Sequence, residues 1–111
     1  SLVRASAAGA LGKIGNEKAV DPLIQALSDG DPRVRYEAAK ALGDIKDSRS
    51  VDALVKSLDD SNGSVRYWAI IALGNINDSR AAEYLIRTST EDEDDYIRNA
   101  ASIVLNEKGW P

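Results

Sequence analysis

Asp31-Pro32-Arg33-Val34-Arg35-Tyr36-Glu37-Ala38-Ala39-Lys40-Ala41-Leu42-Gly43-Asp44-Ile45 carries a start signal and a stripe. Asp can cap a helix, and Pro suits its first position. Val34, Ala38, Ala41, Leu42 and Ile45 then fall on one side of that helix. The stretch recurs along the chain. Val3-Arg4, Val34-Arg35, Val65-Arg66 and Ile97-Arg98 follow one another at steps of 31, 31 and 32 residues. Ala10-Leu11-Gly12 returns as Ala41-Leu42-Gly43 and as Ala72-Leu73-Gly74. A fixed period of this length is the mark of a repeat array.

Upstream of each copy lies a second helical pattern. In the first full unit it runs over about 18–28, with Val20, Leu23, Ile24 and Leu27 at helical spacing. Val20-Asp21-Pro22-Leu23-Ile24 aligns with Val51-Asp52-Ala53-Leu54-Val55 and Ala82-Glu83-Tyr84-Leu85-Ile86. Asn62-Gly63-Ser64 and Glu91–Asp95 take the place of Asp31-Pro32 in later turns. Asn16, Asp47 and Asp78 recur where the next first-type helix begins, as caps or turn residues. No window alternates with period two, so no strands are expected. The pattern predicts a single domain over 1–111: a lone helix at about 2–14, then helix pairs at about 18–45, 49–76 and 80–106. Such short helices are marginal alone and gain stability by stacking.

Composition narrows the function. The chain of 111 residues has no Cys and no His, and a net charge of −4. Disulfides, thiolate or imidazole metal sites, and cysteine or Ser-His-Asp nucleophiles are therefore absent. An acidic balance argues against nucleic acid, whose binders show a basic stripe. No apolar run approaches the roughly 20 residues of a membrane span, and no export signal is visible, which points to the cytoplasm.

The blocks around Val20–Leu27, Asp31–Arg35, Ala38-Ala39 and Ala41–Gly43 resemble the short HEAT-like repeats first associated with phycobilisome lyase subunits. The resemblance covers nearly the whole chain. It implies an all-α, right-handed α-solenoid and Asp–Arg ladders between repeats. It also implies a concave surface lined by the second helices. The last unit departs most: one extra residue precedes Ile97, Ser89 stands where Leu27 and Leu58 stood, and Asn106 replaces the recurring glycine. The chain opens at Ser1 directly into a second-type helix. That start suggests a piece of a longer array, with Leu2 and Leu11 on an open face able to self-associate.

Three features carry functional weight. Arg4, Arg35, Arg66 and Arg98 form a column beside the apolar stripe, with Asp29, Asp60 and Asp92 as candidate ion-pair partners in neighbouring repeats; a phosphate- or carboxylate-binding row is the other reading. Glu91–Asp95 is a solvated turn or, with no EF-hand spacing, a weak cation candidate. Gly12, Gly43 and Gly74 mark close helix approach or early helix ends rather than phosphate loops.

The second helices vary most on their outward faces. On a wheel from Val34, Tyr36, Glu37, Lys40 and Asp44 point away from the stripe. The matching sets are Tyr67, Trp68, Ile71 and Asn75; Asn99, Ala100, Ile103 and Glu107; and Ala5, Ser6, Gly9 and Lys13. Tyr36, Lys40, Tyr67, Trp68, Ile71 and Ile103 are thus the candidate partner-binding residues. Trp68 and Ile71 either anchor a partner or fill space between helices. Trp110 lies outside the repeat register, as a lid on the final helix. The expected function is a non-catalytic scaffold binding a protein or peptide, without cofactor, metal, membrane or nucleic acid. A subunit of a bilin-lyase-like enzyme and a nucleic-acid-binding HEAT-like domain are the alternatives.

Overall fold

A computed structural model describes residues 2–14 and 17–110. Seven α-helices and no strand occur among them. They are α1 (Leu2–Ile14), α2 (Val20–Ala26), α3 (Pro32–Ile45), α4 (Val51–Ser57), α5 (Gly63–Ile76), α6 (Ala82–Glu91) and α7 (Asp95–Lys108). Short 3₁₀ turns at Glu17–Ala19, Ser48–Ser50 and Ser79–Ala81 lead into α2, α4 and α6. The long helices α1, α3, α5 and α7 lie side by side in chain order. The shorter α2, α4 and α6 each back onto the long helix that follows them. The arrangement is an all-α HEAT-like solenoid.

The caps explain where the elements start. Asp31, Asn62 and Asp94 stand in extended conformation before α3, α5 and α7, and each side chain accepts a backbone N–H of the first turn. Asp47 and Asp78 do the same for the 3₁₀ turns, accepting from the Arg49 and Arg80 amides. Asn16, the first member of that series, lies outside the described residues, as does the side chain of Leu2. The helix ends are equally patterned. Lys46 and Asn77 take left-handed backbone, at φ 62° and 60°, and return their amides to Leu42 and Leu73. Gly109 ends α7 at φ 68°, with its own N–H on Asn106 and the Trp110 N–H on Leu105. That paired closure turns the chain back, and the half-buried Trp110 packs on the core.

One continuous core runs through the repeats. Leu23, Leu54 and Leu85 fill it from α2, α4 and α6; Leu42 and Leu73 fill it from α3 and α5, all 1% exposed or less. Each such side chain stabilises the fold by roughly 1.5–3 kcal/mol through burial. Leu11 packs against this core and is half-buried. α6 is longer than α2 and α4. Leu27 and Leu58 tuck into the core just after those helices, whereas Ser89 stays within α6 and bonds the Ile86 carbonyl instead. No described helix is long and apolar enough to cross a membrane.

Candidate functional site

The arginine column builds a spine from repeat to repeat. Arg4 Nε donates to Asp29 Oδ2 at 2.8 Å, Arg35 Nε to Asp60 Oδ2 at 2.9 Å, and Arg66 Nε to Asp92 Oδ2 at 3.0 Å. Each aspartate also holds its own turn: Oδ1 of Asp29, Asp60 and Asp92 accepts the amide of Asp31, Asn62 and Asp94. Each later arginine reaches back as well. Arg35 Nη1 donates to the Asp29 carbonyl and Arg66 Nη1 to the Asp60 carbonyl, both at 2.8 Å, and Arg98 bonds the Asp92 carbonyl. One guanidinium therefore joins the turn before its own helix to the turn before the next. Arg98 departs from the series by pairing with Asp95 on its own helix.

Burial grades this spine. Side-chain exposure falls from 58% and 17% at Arg4–Asp29 to 16% and 12% at Arg35–Asp60, then to 8% and 6% at Arg66–Asp92. A guanidinium so enclosed and so fully paired has little left for an external anion. The acidic run divides accordingly. Asp92 is a spine residue and Asp94 a cap, while the side chains of Glu93 and Asp95 are 86% and 91% exposed. No group of three metal-ligating side chains occurs among the described residues.

A second set of arginines was not found by reading the sequence. Arg49 and Arg80 each clasp the aspartate two residues before them, Asp47 and Asp78, and extend Nη2 to the carbonyls of Glu17 and Ser48 in the preceding repeat. The signal was present, since Asp47-Ser48-Arg49 recurs as Asp78-Ser79-Arg80.

These pairs set an acid dependence. The Arg4 guanidinium holds Asp29 below the usual carboxylate range; Arg33, Arg49 and Arg80 do the same for Asp31, Asp47 and Asp78. A pKa depressed by folding adds stability above the unfolded value, and that stability is lost as pH falls towards the folded one. The midpoint of thermal unfolding should therefore hold level down to about pH 5 and decline below about pH 4. With no histidine in the chain, no step is expected near pH 6–7. Circular dichroism melts across this range check both statements.

The aromatic residues gather on α5 and α7. Trp68 meets Tyr67 edge to face, with ring centres 5.3 Å apart, and Tyr67 stacks on Tyr96 at 5.3 Å with 28° between planes. Lys40 on α3 places Nζ 5.1 Å from the Trp68 ring centre. Tyr67 titrates higher than an ordinary phenol, through its hydrogen-bonded contact with Tyr96 and its burial. Tyr96 is 62% exposed, and the sequence reading missed it. It aligns with Arg33 and Ser64, a turn before the positions on which attention fell.

The other candidates are dispersed. Trp68 and Ile71 are half-buried and pack on the core, so each both fills space and shows an edge. Ile103 is 47% exposed. Tyr36 lies in a separate groove between α1 and α3, with Lys13, Arg33, Glu37 and Lys40. Ala5 and Ala100, expected on the outward face, are buried at 7% and 9%. A methyl group is too short to clear its neighbours at positions where Tyr or Trp reaches out. Between α5 and α7 a cleft of about 410 Å³ is lined by Asn62, Gly63, Ser64, Tyr67, Trp68, Asp94, Tyr96 and Ile97.

No curated protein matches the chain in sequence. The family model for HEAT repeats matches residues 1–69 and, overlapping, 21–106. With its stacked helix pairs and repeated caps, the chain belongs to the HEAT-repeat family.

Proposed function

We propose that this chain is a non-catalytic binding scaffold that takes a protein or peptide on the face of its long helices. HEAT repeats in general serve as protein-interaction scaffolds, which supports the class of function. The observation that carries the choice of face is the aromatic group Tyr67, Trp68 and Tyr96. It stands where the equivalent positions of α1 hold Ala5, Ser6 and Leu2. Exposed Tyr and Trp supply large contact area at low entropic cost and dominate interface energetics. Ile71, Ile103, Tyr36 and Lys40 would extend the contact along the same helices. The 31-residue period supports a place among the phycobilisome-lyase type of short repeats.

A phage-displayed library of random dodecapeptides, selected on the full chain, tests the reading. Selected peptides should bind Trp68→Ala and Tyr96→Ser more weakly than the parent, with helicity retained in both. Tyr96 is the safer of the two, since its ring is mostly in solvent. Peptides that bind both variants as well as the parent would remove this face as the binding surface.

A further inference from the structure

We infer that the cleft between α5 and α7 receives a basic side chain, arginine or lysine, from a partner peptide. The inference rests on the binding face proposed above and names its chemistry.

The floor of the cleft is aromatic: Tyr67 and Tyr96 stacked, with Trp68 edge-on beside them. An arene face attracts a cation through its quadrupole. The molecule already uses this contact, with Lys40 over Trp68 and Arg87 over Tyr84. Tyr96, 62% exposed, offers a ring over which no cation lies among the described residues.

The wall is acidic. Asp94 lines the cleft, and Glu93 and Asp95 flank it in sequence. Asp94 uses Oδ1 to cap α7, while Oδ2 lies beside Gly63, 3.9 Å from where a Cβ there would stand. A carboxylate accepts several hydrogen bonds, so one cap leaves capacity for an incoming guanidinium or ammonium. Glu93 and Asp95 lean on Arg66 and Arg98, and Lys40 sits over Trp68, but five acids against these three cations leave this corner negative. An acidic ligand would be repelled here. A neutral proline-rich segment would use the rings but leave the carboxylates idle. At about 410 Å³ the cleft has room for a long basic side chain.

The test uses the same library selection, followed by titration of synthetic peptides on the full chain. Sequences enriched on the parent should carry Arg or Lys, and replacing that residue with Gln should abolish saturable shifts of the Trp68 indole resonance. Asp94→Asn keeps a good helix cap and removes the charge. It should weaken the basic peptide about tenfold, the loss of one charge-assisted hydrogen bond. Tyr96→Ser should weaken it by about 2–5-fold, and raising the salt should weaken it further. Enriched peptides without basic residues, or an Asp94→Asn chain that binds as tightly as the parent, would overturn the basic occupant. Those peptides would still leave the binding face standing if they depended on Trp68 and Tyr96. Failure of both variants to affect any peptide would overturn both readings.

Discussion

Asp92→Ala should lower the unfolding free energy by about 3–5 kcal/mol, measured by urea denaturation. Asp92 and Arg66 are the most enclosed ion pair of the spine, with side chains 6% and 8% exposed. Deleting the carboxylate strands two things at once. Arg66 loses its Nε contact at 3.0 Å, and the Asp94 amide loses the acceptor that holds the turn before α7. Arg66 cannot turn outward without giving up the Asp60 and Ser61 carbonyls, which it bonds at 2.8 and 3.3 Å. An unpaired buried guanidinium is costlier than the pair is stabilising. Glu93, whose Oε1 lies 3.8 Å from Arg66 Nη2, is placed to swing in as a substitute. Adding Glu93→Gln should therefore deepen the loss. Asp60→Ala should follow with a smaller effect, and Asp29→Ala with the smallest, because its arginine is well solvated. Equal losses at the three positions would mean that burial does not set the strength of this spine.

This gradient could not be read from the sequence, although the rungs could. The spacing of Arg4, Arg35 and Arg66 against Asp29, Asp60 and Asp92 is a side-chain pattern with a fixed period, and period is what a repeat sequence displays. Depth depends on how the elements around each pair enclose it, and no single unit records that. The second arginine set escaped for a different reason. The repeated Asp-Ser-Arg shows the local pairs with Asp47 and Asp78, but the reach of Arg49 and Arg80 to backbone carbonyls of the preceding repeat leaves no letter in the sequence. The start of α3 was legible because Asp31 is a cap of known chemistry; at α5 and α7 only the turn was legible, and the structure shows Asn62 and Asp94 as its caps. The site was legible only in part. Register aligned Tyr67 with Tyr36, and wheel geometry turned Trp68 and Ile71 outward. It could not show that Tyr96, one turn nearer the helix start, would lie on Tyr67 across the interhelical gap. Nor does a wheel distinguish a methyl group from a ring, which is why Ala5 and Ala100 proved buried.

Gly43→Ala should destabilise the fold by about 1–3 kcal/mol, and more than the same change at Gly74. A Cβ on Gly43 would stand 2.9 Å from Ala72 Cα and 3.0 Å from its Cβ. Both helices must part for it, yet α3 is held between α1 and α5. On Gly12 a Cβ would meet Ala41 still closer, at 2.5 and 2.6 Å. The seam between α1 and α3 is as extensive as that between α3 and α5, so Gly12→Ala should cost at least as much as Gly43→Ala. Gly74 faces Val104, whose Cγ1 would be 3.0 Å away. That atom belongs to a side chain, and shifting a stiff valine rotamer costs about 0.5–1.5 kcal/mol. Alanine returns about 1 kcal/mol of helix propensity, so Gly74→Ala should be near neutral. The partner positions separate this account from a propensity effect. Val104→Ala should remove the clash at Gly74→Ala altogether. Ala72→Gly should relieve Gly43→Ala only in part, because the Ala72 Cα remains at 2.9 Å after its Cβ is gone. Urea midpoints for the three single and two double variants give the comparison. If Gly43→Ala is as stable as Gly74→Ala, the glycines are not what sets the distance between the long helices, and the spine of arginines and aspartates must set it alone.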